Sequence, residues 1–292
     1  MASGKLVGDF DRYHRSFKAY ARNSNRLQVM TNFIHTKLRQ VINSITVNSG
    51  DVTRVLSIGP GDGEVEDEIL KVIRDRNESV HPVTATIVEP SVYMIEEYKN
   101  RVDTQGSQLR SISYDWRTET LKAYLENGVK DGVKFHFINA VHSVYYFQDL
   151  PGTLRDLYNR LEPGGMMLII AVTGAVGAPF TERDHRPSTT AQIVKASCVK
   201  ENIPIAHESV IEERTDITDC FDPPEDMSED GRLLLDFYTH VDNFTKTASP
   251  ETQAEVLQFL KSDRFSDKKD GKTLLKGDWE YFIIEANPGY NF

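Results

Sequence analysis

The stretch Val52-Thr53-Arg54-Val55-Leu56-Ser57-Ile58-Gly59-Pro60-Gly61-Asp62-Gly63-Glu64 decides how the rest of the chain is read. A short β-branched run ends in glycines, and Val65, Ile69, Val72 and Ile73 then recur at helical spacing, so the order is strand, turn, helix. The unit repeats downstream. Val83 to Val88 reads as a second strand, Ser91 to Arg101 as a helix opened by Pro90-Ser91, and Arg110 to Tyr114 as a weaker third strand. Leu121 to Glu126 reads as a short helix, Val133 to Asn139 as a fourth strand and Leu150 to Leu161 as a helix; past the turn Glu162-Pro163-Gly164-Gly165, Met166 to Val172 is the fifth strand. This alternation predicts an α/β fold with a parallel, doubly wound sheet.

Upstream, Phe10, Tyr13, Phe17 and Tyr20 share one face of a helix, which Asn23-Ser24-Asn25 interrupts. Ser24 or Asn25 suits the N-cap of a second helix, with Leu27, Met30, Phe33, Ile34, Leu38, Val41 and Ile42 as its apolar stripe. Beyond Val172 the rhythm changes. Helices are expected at Thr189 to Glu201, Gly231 to Asn243 and Pro250 to Leu260, with two strands, near Ser209 to Thr218 and at Trp279 to Glu285, extending the same sheet. The plan is one domain over 1–292: a helical lid over 1–48, a cofactor core over 49–175, substrate-side insertions and the last strands over 176–286, and a tail over 287–292.

The 292 residues, 39% apolar and 27% charged, suffice for one large core. Acidic residues outnumber basic ones by 44 to 34, a net charge of −10, which opposes nucleic acid and anionic membrane as partners. No stretch approaches the roughly 20 apolar residues of a membrane span, and MASGKLVGDFDRYHRSF lacks the apolar core of a secretory leader. A cytoplasmic monomer acting on a small molecule is expected. Cys198 and Cys220 are too few for a disulfide framework, and the eight His form no HExxH pair, so no metal is expected.

A glycine turn lets the backbone approach a ligand, and the helix behind it offers unpaired N–H groups. The turn departs from the dinucleotide fingerprint because Glu64 stands where a third spaced glycine belongs. Glu89, directly after the second strand, can accept bonds from both hydroxyls of a ribose, and Asp62 and Glu64 would repel phosphate while tolerating a sulfonium. S-adenosylmethionine fits best. A nicotinamide oxidoreductase shares the frame and is the competitor. His142 follows the fourth strand on the side where sites gather, placed to take a proton from a nucleophile or to orient it.

The sequence also resembles the histamine N-methyltransferase family over nearly its whole length. The likeness rests on Tyr13 and Phe17, on LSIGPGDGE (Leu56 to Glu64), VEPS (Val88 to Ser91) and Tyr145-Tyr146, and on MLII (Met167 to Ile170), DITDCF (Asp216 to Phe221), LLLDF (Leu233 to Phe237) and FIIEA (Phe282 to Ala286). It implies a Rossmann-like, seven-stranded class I methyltransferase sheet with N-terminal helices and helical lid insertions. For the cofactor it implies Gly59 in the loop, Glu89 on the ribose, and Thr118 and Val141 flanking the adenine, which joins them to Pro60, Gly61 and Gly63 of the turn and to Pro90, which ends the second strand, as the expected cofactor site; Met94 replaces a family glutamine. The aromatic walls Tyr13, Phe17, Tyr145, Tyr146 and Phe237 carry over. A glutamate, a glutamine and an asparagine that hold histamine in the family are replaced by Arg26, His142 and Gly277, the segment after Gly177 is shorter, and Ala178 takes the place of a tryptophan. Arg26 reverses the charge offered to the acceptor and suits a substrate carboxylate. The expected reaction is in-line N-methylation of a small amine or imidazole compound, histamine-like or carboxylate-bearing, such as an amino acid or a histidine dipeptide. O-methylation and silent cofactor binding are the alternatives.

Overall fold

Residues 10–48, 51–77, 82–104, 112–128, 132–174 and 190–286 are described by a computed structural model. The strands are β1 Thr53–Ile58, β2 Val83–Val88, β3 Ser113–Arg117, β4 Phe135–Val141, β5 Leu161–Val172, β6 Ile205–Ile211, β7 Arg214–Asp216, β8 Ser266–Lys269, β9 Lys272–Lys276 and β10 Trp279–Glu285. The chain divides into two compact units. One comprises Met30–Val172, Thr189–Ile211 and Glu280–Phe292, the other Met1–Val29, Thr173–Ser188 and Glu212–Trp279.

The first of these holds a seven-stranded sheet in the order β3-β2-β1-β4-β5-β10-β6. Its strands β1 to β5 pair in parallel. β10 joins in the opposite sense, since Ala286 N–H bonds Gly165 O while Thr173 N–H bonds Asp278 O. This is the Rossmann-like class I methyltransferase sheet. β1 and β2 are buried at all but one position each, as strands covered on both faces must be. The core gathers Leu56, Ile58, Phe135, Ile138, Leu154, Met167, Ile169 and Phe282. The winding reverses between β1 and β4, so the turns leaving those two strands open at one crevice.

Two boundaries move from expectation. β3 runs Ser113–Arg117, past the expected end at Tyr114, and Arg110 and Ser111 of the expected strand lie outside the described residues; Tyr114 and Trp116 stack at 4.9 Å and Tyr98 meets Trp116 edge-on at 5.2 Å on this half-buried edge. β5 starts at Leu161 and runs through the expected turn: Phe135 faces Leu161 but Phe137 faces Met166, so Pro163-Gly164-Gly165 form a bulge, with Gly164 at φ +74°.

The other unit packs the helix Phe10–Asn23 against Glu229–Thr239. Tyr20 stacks on Phe237 at 4.6 Å, and Ala19, Leu233, Leu234 and Leu275 join the same core. Charges flank it: Arg12 Nε lies 2.5 Å from the fully buried Asp236, and Arg22 Nη2 lies 2.5 Å from Asp230. A three-stranded sheet, β7-β9-β8, completes the unit.

Two strand readings are corrected here. The single strand expected near Ser209 to Thr218 is two strands in two sheets, β6 and β7, parted at Glu212-Glu213. The β8–β9 hairpin was not expected; its strands are mostly polar, and its signal is the Asp270-Gly271 turn, with φ of +51° and +76°. Asn25 stands directly before its helix, in the expected N-cap position, and its side-chain oxygen accepts Arg214 N–H at 2.8 Å. The helix Pro250–Lys261 and strand Trp279–Glu285 fall where expected. Gly177, Ala178 and the tail over 287–292 lie outside the described residues.

Candidate active site

The turn after β1 places Gly59, Gly61 and Gly63 at φ of +62°, +61° and +79°, a region costly for residues with a Cβ. Only Gly61 faces open space: a Cβ there meets nothing within 4 Å, whereas on Gly59 it would lie 2.8 Å from Ser143 Cβ and on Gly63 2.2 Å from the Tyr98 ring. Gly61 is therefore the one of the three with room for a ligand, and Gly63 is the seat of a buried tyrosine. Pro60 is half-buried beside it.

Glu89 leaves β2 buried, 8% exposed. Its Oε1 accepts Ser91 N–H at 2.9 Å and its Oε2 accepts Gly61 N–H at 3.2 Å. Each oxygen keeps a lone pair for a further donor, and two vicinal hydroxyls supply two. The turn and this carboxylate fit a ribose-bearing cofactor without phosphate. The part expected of Asp62 changes: it is held by Arg101 Nη2 at 3.1 Å, so its charge is offset and the repulsion of phosphate falls to Glu64 and Glu89. Pro90 is exposed, Met94 is half-buried with its N–H on Ser91 Oγ at 3.3 Å, Val141 is half-buried at the end of β4, and Thr118 is exposed just past β3.

Behind the turn stands a group that sequence reading missed. Ser57 of β1 and Asn139 of β4 both bond Glu66 Oε1, at 2.5 and 3.2 Å, and so tie two strands to the helix that the turn opens. Burial pushes the Glu66 carboxyl up to about 7, with the Ser57 and Asn139 bonds pulling the other way.

His142 takes a left-handed conformation, φ +52°, and its N–H bonds Ile170 O at 3.0 Å. Its Nδ1 lies 3.2 Å from Tyr145 Oη, which accepts Val172 N–H at 2.9 Å. Burial raises the Tyr145 hydroxyl pKa, which keeps the group protonated. Tyr145 and Tyr146 diverge as adjacent residues must: the first packs, and the second is 78% exposed.

The remaining expected residues belong to the other unit. Phe17 lies 6.3 Å from Phe237 and 6.0 Å from Tyr20. The Arg26 guanidinium sits 5.1 Å from the centre of the Phe17 ring, and Tyr13 is half-buried on the same helix. Gly277 precedes β10, with Glu213 against it. Sequence reading passed over Glu213, which nothing local in the sequence marks.

Comparison with known proteins agrees with this geometry. A family model described as a methyltransferase domain matches residues 22–232. The chain is 33% identical to histamine N-methyltransferase B of Xenopus laevis, covering 97% of this chain and 98% of that one. It is 32% identical to the Bos taurus histamine N-methyltransferase, with 96% and 98% covered. Among solved structures, the plantazolicin methyltransferase BpumL in complex with SAH has the same fold, at TM-score 0.50 and 12% identity over 97% of this chain and 93% of that one. A turn shaped for a nucleoside, a carboxylate shaped for its sugar and relatives matched end to end lead to one conclusion: the chain belongs to the histamine N-methyltransferase family of S-adenosylmethionine-dependent methyltransferases.

Proposed function

We propose that the protein N-methylates a small amine or imidazole compound, with a carboxylate-bearing acceptor preferred over histamine. The observation that carries this is Arg26, whose guanidinium lies over Phe17 where the family presents a carboxylate. A fixed guanidinium accepts an acid bidentately and disfavours a cation at the same place.

S-adenosylmethionine supplies an electrophilic methyl on sulfur, so the chain's task is alignment, desolvation and a neutral nucleophile. Glu89 holds the ribose, and Gly61 gives the main chain its close approach. Thr118 and Val141 flank the adenine, and Met94 lies along the remainder. Tyr13, Phe17 and Phe237 in one unit, and Tyr145 and Tyr146 in the other, offer aromatic faces that favour a delocalised positive charge. Tyr145 already accepts Val172 N–H, so its own proton goes to His142 Nδ1. That assignment keeps hydrogen on Nε2, which makes His142 an orienting donor to the acceptor rather than a base.

Methyl transfer from labelled cofactor to histamine, carnosine, amino acids, arylamines and phenols tests the reading. Transfer to a carboxylate-bearing amine or imidazole is expected; silence on every nitrogen acceptor with activity on phenols would refute the nitrogen assignment. For the cofactor, Glu89→Ala should weaken S-adenosylmethionine by roughly 10- to 100-fold in calorimetric titration, the scale of hydrogen bonds to a charged group. Undiminished affinity would overturn that role.

A further inference from the structure

Glu213 is almost wholly buried, 1% exposed. Its place is made by an absence: a Cβ on residue 277 would lie 1.8 Å from Glu213 Oε2, so only glycine leaves room for this carboxylate. Thr215 Oγ1 donates to Oε1 at 2.8 Å, and Tyr238 Oη donates to Thr215 Oγ1 at 2.7 Å, which fixes the carboxylate with Oε2 toward the glycine. The main chain is fixed as well, since Gly277 N–H bonds Glu213 O at 3.1 Å and Glu213 N–H bonds Asp278 Oδ1 at 3.1 Å.

Arg26 is brought to the same place by backbone pairing. Ser24 bridges Thr215 in antiparallel register, and Asn25 N–H bonds Arg214 O at 3.0 Å. Arg26 and Glu213 flank that contact, Arg26 as the first residue of the helix Arg26–Phe33. The two are close enough for the Arg26 charge to act on the Glu213 carboxyl, although burial dominates and raises that group to about 7. The resemblance puts the family's acidic group at position 26; here position 26 is basic and an acid lies near it.

We propose that Arg26 and Glu213 form a relocated, two-signed recognition pair, in which Arg26 binds the carboxylate and Glu213 Oε2 binds the ammonium of a zwitterionic acceptor of amino-acid type. The inference rests on the methyltransferase reading and names its substrate class. It also gives Gly277 a role, as the residue whose missing side chain admits the acid.

The test uses three imidazoles that differ only in charge: histidine carries both groups, histamine the ammonium alone, and imidazolepropionate the carboxylate alone. Binding of each to the whole protein with the demethylated cofactor is measured by calorimetry. Wild type should prefer histidine. Glu213→Gln keeps the size and the Thr215 bond; it should weaken histidine and histamine at least about tenfold, the scale of one charged hydrogen bond, and leave imidazolepropionate unchanged. Gly277→Ala, which displaces the carboxylate without removing it, should do the same, and Arg26→Gln should weaken histidine and imidazolepropionate but spare histamine. A merely structural Glu213 would shift all three ligands alike or none; either result, or failure of all three to bind wild type, overturns the proposal. Methyl transfer is followed in parallel. Selective binding without transfer sinks the enzyme reading alone, and transfer without the Glu213→Gln selectivity sinks the pair alone.

Discussion

The unit with the glycine turn and the unit with Glu213 build their sites from different materials. In the first, the main chain does the chemistry: three glycines and His142 hold left-handed conformations, and Glu89 is set by the N–H groups of Gly61 and Ser91. In the second, side-chain charges do it, between residues far apart in sequence, as in Arg12 with Asp236 and Arg22 with Asp230. A main-chain site is stiff, and a substitution there disturbs the fold. A charge site can be rewritten one residue at a time over an unchanged backbone, which is the route by which the proposed Arg26–Glu213 pair and Gly277 would recast an acceptor preference while the cofactor turn stays put.

This contrast meets its most severe test at the turn itself. Gly63→Ala combines a φ of +79° with a Cβ 2.2 Å from the Tyr98 ring. Backbone strain and overpacking together should cost about 4 kcal/mol in denaturant unfolding. Gly61→Ala shares the strain without the clash and should cost about 1 to 2 kcal/mol, its larger effect falling on cofactor affinity. Equal losses of stability would show that Tyr98 yields, and that the turn is softer than its geometry.

The same contrast explains what could be read from the sequence. β1, β2 and β10 and the glycine turn are local patterns: β-branched runs, a turn dipeptide, a helix period. They were legible because cause and consequence lie within a few residues. β8 and β9 were missed because their strands are mostly polar, leaving only Asp270-Gly271 as a signal. Glu213 could not be read at all, since its meaning depends on Gly277 and Arg26, which only the folded chain brings beside it. Likewise Ser57, Glu66 and Asn139 are unremarkable in sequence and become a buried network through the β1–β4 pairing.

That network gives a second, smaller prediction. Glu66 stands at about 7 in the folded protein, against an ordinary 4.5. Below about pH 4.5 both states bind the proton, and as pH rises towards 7 the unfolded chain loses it first, so stability falls across that window. Glu66→Gln preserves an acceptor for Ser57 and Asn139 and removes the titration. The variant should match wild type near pH 4.5 and exceed it by on the order of 3 kcal/mol at pH 8, because each pH unit crossed between the two pKa values takes away roughly 1.4 kcal/mol. Asp67, also raised to about 7 by burial, keeps a residual slope in both proteins. Parallel pH profiles for the two would place the Glu66 carboxyl in its ordinary range and leave the turn without a strained acid behind it.

The smallest effect tests the other unit. Arg22 bonds Asp230 at 2.5 Å, but its side chain is 55% exposed and that of Asp230 is 31% exposed. Water already screens such a pair, and ordering two long side chains offsets much of the attraction. Asn23 Nδ2 also donates to Asp230 Oδ2 at 2.8 Å, so loss of the arginine leaves the carboxylate one local donor. Arg22→Ala should therefore lower stability by less than about 1 kcal/mol and leave cofactor affinity untouched. The loss should shrink further as salt is raised from about 0.05 to about 0.5 M, where the screening length falls to a few ångström. A loss of several kcal/mol that salt does not move would mean that these surface charges hold the two helices together. The acceptor unit would then be no freer to be rewritten than the glycine turn.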